Sequence, residues 1–192
     1  TIHFRLDTNQ LRPLGRTARG VKSMNLKDGD ALTWVRLSSE GDSVLIGSSE
    51  GMTIHFRLDL NELRPLGRTA RGVKSMNLKN GDKLVSMDVL TSDLVDQLTK
   101  FDDVQSQDED DLESNSSEGP WVLVASAFGL GKRVPVTQFR LQKRAGMGLR
   151  AIKFRIKDDS LVGLKVLGEG EELLFVTERG VIVRTNADKI SQ

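Results

Sequence analysis

Short stretches in which apolar residues alternate with polar ones or run together make up most of the chain, and they come in pairs. Three pairs surround a turn that contains glycine, namely VLIGSSEGMTIHF, WVLVASAFGLGKRVPV and LLFVTERGVIVRT. Paired runs of this length around such a turn predict β-hairpins. A further hairpin-like pair, VKSMNLKDGDALTWVRL, is divided by Asp-Gly-Asp. Because only residues 94–101 show helical spacing, the pattern predicts an all-β fold.

The chain also repeats itself. Residues 1–30 and 53–82 differ at three positions only, which are Thr8/Leu60, Gln10/Glu62 and Asp28/Asn80. A weaker third copy covers residues 132–164, and a fourth begins at Gly180. Repeats of about 50 residues are typical of solenoids and propellers, in which each unit buries its apolar face against a neighbour. With four short strands in each repeat, we predict one four-stranded antiparallel blade per unit.

The repeats divide the chain into units at about residues 1–52, 53–129 and 130–179, followed by a partial unit at residues 180–192. These units are expected to form part of one domain, with about three blades and part of a fourth. Thr1 corresponds to Thr53 within a hairpin, and Gln192 falls inside a unit. We therefore expect the chain to be an interior piece of a longer repeat protein.

Composition excludes several kinds of chemistry. The chain of 192 residues has no Cys, which excludes disulfides, thiolate-bound metals and thiol nucleophiles. The chain has only two His, so His-rich metal sites and His-based catalytic triads are disfavoured. An acidic run at residues 108–111 could attract a divalent ion, but it lies in a flexible region, so no metal site is predicted. The longest apolar run, residues 121–128, is too short to cross a bilayer, and no membrane contact is expected.

Charge is distributed unevenly along the chain. Residues 93–118 contain ten acidic residues and one basic residue, Lys100, whereas the whole chain has 28 basic and 27 acidic residues. The remainder therefore has 27 basic and 17 acidic residues, a net charge of +10 instead of +1. The composition of residues 93–118 predicts a disordered insert between two strands of one blade. The insert is either a solvated spacer or an internal mimic of nucleic acid that competes for a basic surface.

Basic residues outside the insert recur at matching positions in every unit. The segment Arg-Pro-Leu-Gly-Arg-Thr-Ala-Arg-Gly-Val connects strands in the blade scheme, so repetition would align its cations along one edge as a basic rim. Glycines in the same segments allow tight turns and a close approach to phosphate. A rim of this kind would bind DNA without sequence preference and with strong salt dependence. The predicted rim residues are Arg5, Arg12, Arg16, Arg19, Lys22, Arg57, Arg64, Arg68, Arg71, Lys74, Lys132, Arg133, Arg140, Lys143, Arg144, Arg150 and Lys153.

Three motifs accompany the hairpins: Gly-Lys-Arg-x-Pro at residues 131–135, Gly-Arg-x-x-x-Gly-Val at residues 67–73, and a Gly-Asp pair a few residues later. In this combination they resemble the C-terminal domain of the DNA gyrase A protein, and the acidic insert is most similar to the plant organellar form. The resemblance covers nearly the whole chain outside residues 93–118. It implies a β-pinwheel of about six blades that exchange strands with their neighbours. It also implies that DNA wraps around the basic rim, so that strand passage by the rest of the enzyme introduces negative supercoils.

The same resemblance implies the partners and excludes catalysis by this chain. The expected partners are double-stranded DNA, the rest of gyrase A, and gyrase B in an A2B2 assembly. ATP and Mg belong to other parts of that enzyme, so no cofactor is expected here. Type II topoisomerases cut DNA with a tyrosine, and this chain has none, so no catalytic residue is predicted. The location would be the chloroplast or mitochondrion in a plant and the cytoplasm in a bacterium.

Residues 142–148, QKRAGMG, resemble the gyrase-A box Gln-Arg-Arg-Gly-Gly-Lys-Gly but depart from it at Lys143, Ala145 and Met147. In the family this box opens the first blade, whereas two units precede the segment here. We interpret residues 142–148 as an ordinary connector in the later half of a pinwheel, with the box upstream of this chain.

Two other functions stay open at this point. The C protein of topoisomerase IV shares the fold, and a propeller-type module with a basic rim could bind acidic proteins instead of DNA. An enzyme active at the propeller axis is disfavoured by the missing nucleophiles. For residues other than the listed cations we predict structural roles. His3 and His55 should take rim or half-buried strand positions, and Asp30 and Asp82 should accept hydrogen bonds from turn amides. The blade cores should contain Trp34, Trp121, Met24 and Met76.

Overall fold

The computed structural model describes residues 13–59, 61–67, 69–96, 120–168 and 170–191. Residues 92–96 form a single helical turn, and 3-10 helices cover Val136–Gln138 and Ala187–Lys189. The strands in this part of the chain are β1 (Ser43–Ser48), β2 (Met52–Arg57), β3 (Leu84–Leu90), β4 (Trp121–Ser126), β5 (Gly131–Pro135), β6 (Leu149–Arg150), β7 (Leu161–Leu167), β8 (Glu172–Val176) and β9 (Ile182–Asn186).

All three predicted hairpins are present. Strand β1 pairs with β2, β4 with β5, and β8 with β9, each in the antiparallel sense. Their turns contain Gly51, Gly129 and Gly180, whose φ angles of 76°, 83° and 82° lie in the left-handed region. Because glycine has no Cβ, it adopts this region without a steric penalty. The hairpin predictions are therefore confirmed, together with the reason for a glycine in each turn.

The strands form three antiparallel sheets. The first has the order β3-β1-β2-β6, the second β5-β4-β7, and the third is the hairpin β8-β9. Strand β6 belongs to the third sequence unit, yet it pairs with β2 of the second unit through Met52↔Arg150 and Thr53↔Leu149. The first sheet is therefore a four-stranded blade that borrows its last strand from the next unit. Within the described residues the second and third sheets have three and two strands.

Strands β3 and β7 carry the polar contacts between the first two sheets. The Ser86 hydroxyl donates to the Leu164 carbonyl over 3.1 Å and accepts from the Leu164 N–H over 2.8 Å. The buried Asp88 accepts at Oδ2 from Lys165 Nζ at 2.7 Å and from the N–H of Val166 at 2.9 Å. Arg36 Nε lies 3.6 Å from the other oxygen of Asp88. Asp88 therefore joins three successive units through opposite charges.

Buried apolar side chains form three clusters. One contains Phe56 and Met76 on the first sheet, and we call it the first-sheet core. A second contains Leu45 of β1 and Val124 of β4, so it lies between the first and second sheets. The third contains Leu167 of β7 together with partly buried side chains of β8. Each sheet therefore buries one face against its neighbour, as the repeat pattern predicts.

The first copy of the hairpin-like pair differs from the prediction. Residues 21–37 form no strand, and Leu37 is 78% exposed. Trp34 is 36% exposed, with the Arg36 guanidinium 5.1 Å from its ring centroid, so its predicted place in a blade core is wrong. Met24 is half-buried rather than in a core. The cause is that no described strand pairs with residues 31–37, and an extended segment without a ladder partner has no sheet face to bury.

The beginning of the acidic segment is folded. Residues 92–96 form the helical turn, and Val95 is 1% exposed within the cluster between the first and second sheets. The predicted insert at residues 93–118 therefore starts with residues that belong to the core. Residues 97–118 lie outside the described part of the chain.

Candidate nucleic-acid interface

Three connectors define the candidate surface: residues 13–20 (first connector), 61–72 (second connector) and 137–148 (third connector). The short segments that follow the first and second connectors each contact the connector of the next unit. The N–H of Asn25 donates to the Ala70 carbonyl over 3.0 Å, and one unit later the N–H of Asn77 donates to the Gly146 carbonyl over 2.9 Å. Because the same contact recurs at matching positions, the connectors stack in register.

Gly148 shows why the third connector needs glycine. Its φ is 78°, and a Cβ there would overlap the Thr53 carbonyl oxygen and approach Met76 Cε to 2.8 Å. The connector backbone is therefore pressed against β2. Around Gly20, at the matching place of the first connector, a Cβ would meet nothing within 4 Å. The close approach that the sequence predicted for phosphate is made at Gly148 by the protein itself.

Most of the predicted rim cations are exposed. Arg5, Arg12 and Arg68 lie outside the described residues. Half-buried positions are taken by Arg57, Lys132, Arg133 and Arg144. The exposed members are Arg16, Arg19, Lys22, Arg64, Arg71, Lys74, Arg140, Lys143, Arg150 and Lys153.

Exposed cations occur at both ends of the connectors. Lys22, Lys74 and Arg150 each stand two residues after the last glycine of a connector, and Arg150 is part of β6. Arg64 and Arg140 each follow a buried apolar residue near the start of a connector. Repetition in register therefore places like charges at two recurring positions of the fold.

Arg133 does not present its charge to solvent in the same way. Its Nε donates to the Ile190 carbonyl over 2.7 Å, and Nη1 lies 3.4 Å from Asp188 Oδ1. The guanidinium also stands 5.1 Å from the ring centroid of Trp121. Arg133 therefore links the second sheet to the residues that follow β9.

Arg144 is bound to the second connector. Its N–H donates to Glu62 Oε2 over 2.9 Å, its Nε to the Glu62 carbonyl over 2.7 Å, and its Nη1 to the Lys74 carbonyl over 2.5 Å. The box-like segment that contains Arg144 lies against the preceding unit, since the N–H of Ala145 donates to the Ser75 carbonyl over 2.8 Å. It occupies the place of a connector in the third unit.

His55 is buried, with 4% of its surface exposed, so its predicted rim or half-buried position is wrong. Its Nδ1 lies 2.6 Å from the Phe139 carbonyl and its Nε2 lies 2.7 Å from the Ser43 hydroxyl. Nδ1 must therefore carry the proton, and Nε2 accepts from Ser43. Burial lowers the pKa of His55, and the nearby charge of Arg57 acts in the same direction, against the hydrogen bond to Phe139. The imidazole is a neutral link between the first sheet and the third unit.

His55 and Arg133 have the same structural role. His55 lies opposite Leu45 in the first hairpin, and Arg133 lies opposite Leu123 in the second. Each side chain reaches the carbonyl that follows the 3-10 helix of the next unit. Alignment of the sequence from the connectors instead matches Arg133 with Arg57. The hairpin registers show that the third unit is two residues shorter between its hairpin and its connector.

Aspartates hold the turns, as predicted. Asp82 Oδ1 accepts from the N–H of Glu50 at 3.0 Å and from the N–H of Lys83 at 2.9 Å, and Asp159 does the same at the next hairpin. Asp30 accepts from the following backbone N–H at 3.0 Å. Burial acts to raise the pKa of Asp82 and Asp159, but the hydroxyl and amide donors outweigh it and lower both pKa values.

Several exposed cations near these turns were missed by sequence reasoning. Lys27 and Lys79 carried a signal, because they are identical in the two closest copies. The third unit has two further cations at or beside that position, Arg155 and Lys157, which were not connected with the rim. The exposed residues of this group are Lys27, Lys79, Lys83, Arg155 and Lys157.

A cluster of metal ligands or a long apolar helix among the described residues would indicate a further kind of site. No group of three or more His, Cys, Asp or Glu side chains there could hold a metal ion. No helix among those residues is long and apolar enough to span a bilayer. The acidic run at residues 108–111 lies outside the described ranges.

The family described as DNA gyrase C-terminal domain, beta-propeller, matches residues 4–39, 42–91, 120–167 and 171–192. The DNA gyrase A protein of Synechocystis is 49% identical, over 91% of this chain and 21% of that protein. The chloroplastic/mitochondrial DNA gyrase A protein of Arabidopsis thaliana is 34% identical, over 92% of this chain and 18% of that protein. The chain thus spans about a fifth of these relatives.

Solved structures show the same fold. A DNA gyrase A C-terminal domain aligns with a TM-score of 0.69 and 27% identity, covering 90% of this chain and 50% of that one. The C-terminal domain of DNA topoisomerase IV also gives 0.69, with 23% identity, covering 89% of this chain and 45% of that one. The predicted β-pinwheel fold is confirmed, and the chain accounts for about half of such a domain.

Proposed function

The chain belongs to the family of DNA gyrase C-terminal domains, and from this premise we propose that it is a noncatalytic DNA-binding and DNA-wrapping segment of a gyrase A protein. One observation supports this proposal above the others. Exposed cations recur in register at both ends of successive connectors, as Arg64 and Arg140 at one end and Lys74 and Arg150 at the other. A repeating polyanion is the partner that such a repeating surface fits.

Duplex DNA carries one negative charge per roughly 1.7 Å of helix axis, surrounded by condensed counterions. Each connector cation that meets a phosphate releases counterions, which favours binding without reading the base sequence. Cations spread over successive blades would hold DNA along a curved path rather than at one point. In the whole enzyme this path would support ATP-dependent negative supercoiling, with ATP, Mg and the cutting tyrosine supplied by the rest of gyrase A and gyrase B.

Binding of linear duplex DNA, followed by fluorescence anisotropy, tests the proposal. We expect submicromolar binding at about 50 mM salt and a loss of at least roughly tenfold at about 200 mM, without sequence preference. Changing Arg64 and Arg140 together to Ala should weaken binding for every sequence by a similar factor. Arg179→Ala is the matched control, because Arg179 is exposed on the β8-β9 turn and belongs to none of the three connectors. Absence of binding at low salt would refute DNA binding.

Wrapping needs a separate measurement. Nicked circular DNA is ligated with and without the protein, and the linking number of the products is compared. A protein-dependent shift supports wrapping, whereas binding without a shift reduces the function to attachment. The same measurement is relevant to the alternative of a topoisomerase IV type domain. The solved gyrase A and topoisomerase IV domains align with this chain at the same TM-score of 0.69, so the fold does not separate the two.

A further inference from the structure

The half-buried Arg144 spans the two ends of the second connector. From the third unit, its Nε reaches the Glu62 carbonyl at 2.7 Å and its Nη1 reaches the Lys74 carbonyl at 2.5 Å. Its backbone N–H also donates to Glu62 Oε2 at 2.9 Å. The acceptors lie twelve positions apart in the sequence, just inside and just beyond the connector. One side chain therefore fastens both ends of this loop.

The chemistry suits a fastening role. A guanidinium offers several N–H donors in a rigid planar fork, so it can bond two carbonyls at once, and hydrogen bonds from a charged donor are among the stronger ones. A lysine ammonium in the same place is a single compact charge on a flexible stem. Closing a loop at both ends also removes much of its conformational freedom before any ligand arrives.

The fastened loop contains cations of the proposed DNA surface. Arg64 lies two residues after Glu62, Arg71 lies near the end of the loop, and Lys74 itself supplies one of the acceptor carbonyls. All three side chains are exposed. The backbone at Lys74 and at Glu62, two residues before Arg64, is therefore held by contacts that originate in the next unit.

We propose that Arg144 is a positioning residue. It acts on DNA binding by holding the second connector in the shape that presents Arg64, Arg71 and Lys74, rather than through a phosphate contact of its own. The inference deepens the proposed function and rests on it for the DNA readout, but the positioning step can be measured without DNA. It also implies that the second connector depends on the unit that follows it.

Hydrogen–deuterium exchange on the whole chain tests the positioning step. In Arg144→Ala, peptides that cover residues 61–75 should exchange about tenfold faster than in the unchanged protein, because two bonds to the loop ends are lost. Arg144→Lys keeps the charge and should still show accelerated exchange. Arg16→Ala is the matched control, because Arg16 has the same place in the first connector and should leave residues 61–75 unchanged. Unchanged exchange in both Arg144 variants overturns the proposal, and if the alanine variant does not fold, the lysine variant decides.

DNA binding supplies the second readout. If Arg144 acts through the loop, Arg64→Ala combined with Arg144→Ala should bind no more than about twofold weaker than Arg144→Ala alone, since both changes damage one unit. If the two losses multiply, and Arg144→Lys restores full affinity, Arg144 is a direct phosphate contact and the proposal is wrong. If the unchanged protein binds no DNA, the proposed function fails, while the exchange result still decides whether Arg144 shapes the connector.

Discussion

Residues 13–30 and 65–82 are identical at all but one position, yet the protein buries them differently. Met76 is 5% exposed in the second copy, whereas Met24 is only half-buried in the first. Leu78 packs against the first-sheet core, while its counterpart Leu26 is 43% exposed. The same apolar pattern therefore leads to a core in one place and to a surface in the other.

The difference lies in what surrounds each copy. Met76 packs with Ile54 and Phe56 of the hairpin β1-β2, and Gly148 of the third connector lies directly against it. In the first copy, the residues that correspond to β2 are residues 1–5, outside the described part of the chain. The segment that follows a connector is therefore buried in a core only where its own hairpin and the next connector both cover it.

The largest expected effect separates the two methionines. Met76→Ala should lower the free energy of unfolding by about 2–5 kcal/mol, because it opens a cavity in the first-sheet core. Met24→Ala should cost less than about 1 kcal/mol, since its side chain loses little packing. Urea unfolding of both variants measures the contrast. Equal losses would show that the two copies share one environment and would break the comparison.

A smaller effect concerns the junction between the first sheet and the third unit. The pKa of the buried His55 is lowered from the ordinary value of 6.5, so the unfolded chain takes up a proton at a higher pH than the folded one. The stabilisation is complete above that ordinary value and is lost as the pH falls below it. We expect the urea midpoint to drop between about pH 7 and pH 5 by more in the unchanged protein than in His55→Gln. Equal drops would show that His55 does not carry this dependence.

Arg133 sharpens that comparison of junctions. It makes the same type of contact from the second sheet to the residues after β9, but a guanidinium keeps its proton over this range of pH. The acid-sensitive junction should therefore be the one at His55. After correction for the intrinsic exchange rate, which falls with pH, protection against hydrogen–deuterium exchange should be lost first around Phe139 and only later around Ile190.

The smallest effect is a gain in stability. Ala145 has a φ of 65°, a left-handed conformation that costs a residue with a Cβ about 1–2 kcal/mol. At this place the gyrase-A box has glycine, so the departure noted in the sequence coincides with backbone strain. Ala145→Gly should raise the free energy of unfolding by about 0.5–1 kcal/mol, after the extra entropy of an unfolded glycine is deducted. Urea unfolding with no gain would refute the strain.

The structure also explains where the two close copies stop resembling each other. They diverge after Asp30 and Asp82, and the divergent stretch of the second copy is β3. Arg36, Asp88 and Lys165 occupy the same position in successive units, and Asp88 contacts both of the others. If the copies had stayed identical there, like charges would face each other in place of the Arg36–Asp88 pair.

Part of this protein follows from the sequence alone because the signals are local. Alternating runs around glycine turns predicted the three hairpins, since a hairpin forms between neighbours in the chain. The aspartate roles at Asp30 and Asp82 were predicted for the same reason. Self-similarity predicted the repeated unit, and the charge count outside residues 93–118 indicated a basic scaffold.

The tertiary structure alone decided which residues cover which. Strand β6 completes the blade of the preceding unit, His55 is buried under the third unit, and Trp34 remains exposed although its pattern suggested a core. It also divided the described rim residues into exposed cations and half-buried ones, and among the latter Arg133 and Arg144 bond to the backbone of another unit. The physical reason is that burial and pairing depend on contacts between distant segments. Two nearly identical stretches cannot reveal such contacts, because they differ only in their neighbours.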